Sequence, residues 1–118
     1  MPCYLHQWKY KDAQIKKMVQ DVEDLNREDV IRSATAAFDG TLLAFYFCFG
    51  EFDGVAISEF PNEKSALACA MSIYGQGRLL DVRTTPLFSM NEGMEAFRHI
   101  QTVTRKGDVP PEQAKAGD

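Results

Sequence analysis

Cysteine is scarce in this 118-residue chain: Cys3, Cys48 and Cys69 are an odd number and no two stand at CxxC spacing. That argues against a disulfide framework and, with no apolar leader ahead of Cys3, for a reducing cytoplasmic setting in which each is a small buried hydrophobe. Histidine is scarcer still: His6 and His99 lie far apart with no carboxylate at ligand spacing beside them, so no metal site is expected. Long apolar runs are missing, since residues 42–49 are only strand length, and no membrane association is expected. Nor is there a Lys/Arg cluster. A net charge of -4 argues against nucleic acid and anionic membrane as partners. What is present is ordinary for a folded domain: 45% hydrophobic and 25% charged residues exclude a wholly disordered chain, and the length suits one domain.

The apolar pattern predicts a strand over residues 3–8, with Tyr4, His6 and Trp8 on one parity and Cys3, Leu5 and Gln7 on the other. Asp12 is placed to cap a helix whose buried face would hold Ile15, Met18, Val19, Val22 and Leu25. Asn26 and Asp29 predict a second start before Val30, Ile31, Ala34 and Phe38, and Asp39-Gly40 an end through the left-handed freedom of glycine. Residues 42–49 and 55–60 read as antiparallel strands joined by a five-residue hairpin, Gly50 to Gly54. Asn62 is placed to cap a helix with Ala66, Leu67, Ala70, Met71 and Tyr74 inward, ended by Gly75 and Gly77. Residues 79–88 make a fourth strand, whose second half Pro86 assigns to an edge or bulge. Ser89 and Glu92 form a capping box for a last helix, and beyond Thr104 the composition is that of a disordered tail, giving a domain over 1–104 and a tail over 105–118.

The order β-α-β-β-α-β with a terminal helix is the ferredoxin-like plan, an α+β fold with a four-stranded antiparallel sheet and both main helices on one face. The other face should then be polar, yet both parities of the first and second strands are apolar, so either a second copy or the terminal helix must cover it. A homodimer is the expected solution.

Gly50-Glu51-Phe52-Asp53, then Val55-Ala56-Ile57, Glu59 and Pro61, resembles the central motif of the GYD-domain family, with Phe52 where that family usually has Tyr. Tyr4, Trp8 and Asp12 at the start, and Val82-Arg83-Thr84-Thr85 in the fourth strand, agree in order and spacing, so the resemblance spans residues 2–97. It implies a bacterial or archaeal protein with a dimeric α/β-barrel architecture and supplies no catalytic residue or cofactor. Departures are a longer first helical region, the tail, and Gly54 where the family commonly has an apolar residue.

Of the polar residues, His6 stands out, because an imidazole in mid-strand, projecting into the space between two paired sheets, can act as a general base or acid near neutral pH. The alternative is a hydrogen-bonded core or interface histidine. Arg83 suits a carboxylate or phenolate, or a surface salt bridge, while Tyr4, Trp8 and Tyr46 would shape an apolar pocket. Asp53 before Gly54 reads as a turn carboxylate that accepts nearby backbone N–H groups. Removal of Met1 would expose the secondary amine of Pro2, as in N-terminal-proline tautomerases, but supporting groups at recognisable spacing are missing. Gly75-Gln76-Gly77 follows a helix instead of opening one, which argues against a phosphate cradle. The expectation is a domain that encloses a small apolar or aromatic molecule, to bind it or to perform cofactor-free isomerase or oxygenase chemistry; the alternative is an assembly module with a filled interface.

Overall fold

The computed structural model describes residues 1–22 and 27–105, so the expected cap at Asn26 and the tail beyond Arg105 lie outside the described residues. The elements run β1 (Cys3–Tyr10), α1 (Asp12–Gln20), α2 (Arg27–Ala37), β2 (Thr41–Phe47), β3 (Gly54–Glu59), α3 (Glu63–Tyr74), β4 (Leu79–Leu87) and α4 (Met90–Arg105). They group into two compact units, Met1–Leu87 and a second that starts at Phe88.

In the first unit the strands order as β2-β3-β1-β4, each pair antiparallel. This is the ferredoxin-like arrangement, in which each helical crossover skips one strand and returns beside it. Side chains paired in register share a face. Tyr4, Ser58 and Leu42 form one row, His6, Ala56, Phe45 and Thr84 the next, and Trp8, Gly54, Phe47 and Val82 a third. These rows meet the helices: Trp8, Tyr10, Leu42, Ala56 and Leu79 are buried with Met18, Ile31 and Ile73 against them. A second cluster joins Tyr4 and Phe60 to Ala66 and Cys69 of α3. The opposite face carries Leu5, Ala44 and Ile57 in one row and Gln7, Val55, Tyr46 and Arg83 in the next. A β-bulge in β2 sets this division, since Leu42 pairs with Ser58 and Ala44 with Ile57, and Leu43 has no opposite residue. Pro86 lies in β4, an edge strand, where its missing N–H is harmless.

Several local expectations are corrected. The N-cap of α1 is Lys11 without a side-chain hydrogen bond, and Asp12 is the first helical residue, where its charge still favours the helix dipole. The helix presents Gln14 and Met18, one turn apart, to the interior, so Ile15, Val19 and Val22 are exposed instead of buried. At the end of α2 it is Asp39, not Gly40, that adopts the left-handed conformation (φ 63°). Gly40 N–H donates to Thr35 O and Asp39 N–H to Ala36 O, both at 3.0 Å, a Schellman end with aspartate at C′. Gly40 is needed for closeness, because a Cβ there would strike the Phe60 ring. Asn62 caps α3 as expected, accepting from Ser65 N–H at 2.9 Å, and Gly77 turns left-handed after it (φ 76°). Yet α3 buries Ala66 and Cys69, with Ala70 and Ile73 beside them, while Leu67, Met71 and Tyr74 are exposed. The hairpin loop is residues 48–53, one longer than expected, with Cys48 N–H donating to Asp53 O at 2.9 Å.

The second unit holds α4. Its capping box is formed: Ser89 N–H donates to Glu92 Oε1 at 2.9 Å and Glu92 N–H to Ser89 Oγ at 3.1 Å. These bonds hold the Glu92 carboxyl below its ordinary pKa.

Candidate functional site

The residues facing one another across the first unit are small. Ala34 and Thr35 of α2 and Cys69 and Ala70 of α3 stand over Ala56 and Ser58 of β3, and the helices are held off by the larger Trp8, Tyr10 and Ile73. What remains between them is a cavity of about 80 Å³. Trp8, Ile31, Leu42, Ile73, Leu79 and Val82 make its walls mostly apolar. Exposed residues border both ends: Thr84, with His6 and Ser58, at one, and Gln76 and Arg78 at the other. The two ends differ by four residues along β1, His6 to Tyr10, or roughly 13 Å.

His6 is clamped between two hydroxyls, Nε2 to Ser58 Oγ at 2.7 Å and Nδ1 to Thr84 Oγ1 at 3.1 Å. Both contacts follow from register, because Thr84 is its partner on β4 and Ser58 sits one row along on β3. Neutral imidazole has one donor and one acceptor, and a hydroxyl can complement either, so the pair satisfies the ring. Burial depresses the His6 pKa, which keeps the ring neutral at pH 7. Tyr4 stacks near it at 6.4 Å between ring centroids, and burial, with Glu63 contributing, raises the phenol pKa. Burial also raises the Cys69 thiol, so this wall offers no thiolate at pH 7.

The five residues singled out from the sequence are therefore divided. His6 and Trp8 line the cavity, and Tyr4 packs beside it against Phe60. All three project toward the helices, not toward the face expected to meet a second copy. Tyr46 and Arg83 project to that opposite face, in one row but separated by Val55 and Gln7, a spacing of roughly 14 Å. Arg83 reaches the hairpin loop, 3.6 Å from Glu51 and 5.2 Å from the centre of the Phe52 ring. The small residues Ala34, Thr35, Ser58, Cys69, Ala70 and Thr84 were missed, and so was Arg78. Their signal in the sequence is weak: alanines and hydroxyls facing each other across a crossover, which becomes visible only once register is known.

The hairpin motif itself is a brace. Asp53 N–H donates to Trp8 O at 2.8 Å, and its carboxylate accepts Tyr10 N–H at 2.9 Å and lies 3.5 Å from Lys9 Nζ. Asp53 thus fixes the end of β1, the strand that supplies His6 and Trp8, and does not enter the cavity. The brace, the register of Trp8 over Gly54 and the Arg83 contact with Phe52 all lie within the stretch over which the sequence matches the GYD domain, residues 4–97. The chain belongs to the GYD-domain family.

Two solved structures share part of this GYD domain's outline at 11% identity. The crystal structure of FFRP-DM1 has a TM-score of 0.46 over 75% of this chain and 100% of its own. An AsnC family transcriptional regulator from Agrobacterium tumefaciens has a TM-score of 0.47 over 75% of this chain and 51% of its own. Among curated proteins none matches. No group of three or more His, Cys, Asp or Glu side chains among the described residues is placed to hold a metal ion, and no described helix is long and apolar enough to cross a membrane.

Proposed function

We propose that this GYD domain binds a small apolar molecule in the cavity between its sheet and α2 and α3, and that it works as a cytoplasmic homodimer joined through the opposite sheet face. The observation that carries the first part is the pairing of apolar walls with a few polar groups at the two ends, the pattern of a site that takes up an apolar body and orients it by few hydrogen bonds. Size narrows the ligand. An apolar cavity of roughly 150 Å³ holds benzene, so the smaller 80 Å³ favours a short aliphatic group over an enclosed aromatic ring.

Binding is better supported than chemistry. His6 is neutral and 2.7 Å from Ser58 Oγ, the distance of a base to a nucleophile, with Thr84 holding the other nitrogen. Acyl transfer also requires donors aimed at a developing oxyanion, and the cavity wall near Ser58 is built from strand backbone already committed to the ladder. A proton shuttle through His6 is the enzymatic reading left open by this geometry.

The second reading, an assembly module, is favoured by the opposite face, where Tyr46 is 67% exposed beside Leu5, Val55 and Ile57. Thermal denaturation with small alcohols, amides and acids tests the ligand-binding reading. A binder raises Tm with the logarithm of its concentration, and Ala70→Leu, which fills the cavity, removes that rise while leaving the protein folded. If no compound shifts Tm and Ala70→Leu merely stabilises, the domain is an assembly module.

A further inference from the structure

Among the residues that line the cavity only Arg78 carries a full charge at pH 7, and it stands at the mouth. No Asp, Glu or Lys shares the lining. Among the described residues Arg78 forms no ion pair, in contrast to Lys9, Arg32 and Arg83, which are bound to Asp53, Glu28 and Glu51. Its position is nevertheless fixed by the backbone, because Arg78 O accepts Lys11 N–H at 3.0 Å and Leu79 then enters the ladder opposite Tyr10. The amide of Gln76 stands at the same mouth. The other end is different in kind: the hydroxyls of Ser58 and Thr84 satisfy the His6 ring, and none of the three brings a net charge. The cavity is thus apolar along its length, neutral at the His6 end and cationic at the Arg78 end.

We infer that the ligand is a short aliphatic monoanion, a carboxylate of about four carbons, whose chain lies along Trp8, Ile73 and Leu79 and whose charged group is held at the mouth by Arg78 and Gln76. The inference rests on the cavity being the binding site. The guanidinium fork matches a carboxylate through two parallel N–H donors, and a group that stays at the surface avoids the cost of burying its charge. The reverse orientation would place an anion beside a neutral imidazole, where the one hydroxyl proton left over from its two hydrogen bonds is the sole side-chain donor and no positive charge stands.

The test compares butanoate, butanamide and butylammonium by two-dimensional NMR titration of the full chain, reading the amides of Ala34, Ala56, Ala70 and Leu79. Butanoate is expected to bind about tenfold more tightly than butanamide at low salt, and butylammonium least. Arg78→Gln brings butanoate down to the level of butanamide and leaves butanamide unchanged, and added salt weakens butanoate alone. Equal binding of acid and amide, or butanoate binding that survives Arg78→Gln, overturns the anion assignment while the cavity stands as a site. Absence of any shift at the four amides with all three compounds overturns both.

Discussion

The indole of Trp8 occupies the space that a side chain on Gly54 would need. The two are register partners on β1 and β3, and Gly54 is buried beneath the ring, so this position excludes any side chain while the ring stays in place. Gly54→Ala is expected to cost about 1–3 kcal/mol through overpacking. Urea denaturation at 25 °C reads this as a lower midpoint at unchanged slope, and Trp8→Phe, which removes the ring atoms in collision, should recover part of the loss. A midpoint that does not move would show that the indole turns aside freely.

Stability should fall on acidification through His6. Burial lowers its folded pKa below the ordinary 6.5, so between those values the unfolded chain binds a proton that the folded chain refuses. Stability is therefore full above pH 6.5, declines as pH drops below it, and levels off once the folded imidazole itself titrates. In Tm measured from pH 7.5 to 5.0, His6→Gln should flatten this slope. An equal slope in the variant would assign it to other groups.

The carboxylate of Asp53 should matter more as a hydrogen-bond acceptor than as a charge. Asp53→Asn keeps an oxygen for Tyr10 N–H and loses only the partly exposed pair with Lys9, a cost below about 1 kcal/mol. Asp53→Ala removes the acceptor as well and should cost about 1–3 kcal/mol. Equal losses in chemical denaturation would give the charge the larger share.

Asn62→Ala should destabilise the first unit by about 0.5–2 kcal/mol, because Ser65 N–H loses its acceptor at the start of α3. Hydrogen exchange is the sharper measurement: the amides of the first turn of α3 should exchange faster than those near Ile73.

The proposed dimer makes its own demand on the opposite face. Val55→Asp places a carboxylate in the row of Gln7, Tyr46 and Arg83 without touching the cavity. Sedimentation at micromolar concentration should show the variant as monomer and the parent chain as dimer. A parent chain that sediments as a monomer ends the proposal.

How much of this was legible in the sequence depended on whether a residue's role is local. The elements, the capping by Asn62 and the Ser89–Glu92 box depend on neighbours within four positions, and the alternation of Tyr4, His6 and Trp8 was visible as such. The side to which that alternation turns was not, because β1 is central and apolar on both faces, and only packing decides that its larger aromatics meet the helices. In α3 Leu67, Met71 and Tyr74 gave the stronger apolar stripe, yet the interior took Ala66, Cys69, Ala70 and Ile73, since small residues let the helix approach the sheet. The same choice opened the cavity, so the site lay where the hydrophobic signal was faintest.

The unmatched residue at Leu43 has a further consequence for how this chain tolerates change in length. Deleting it would let β2 pair residue for residue with β3 and leave every later pairing on its present side, Ala44 with Ile57, Phe45 with Ala56 and Tyr46 with Val55, so a residue can be lost here without parting Phe45 from Trp8.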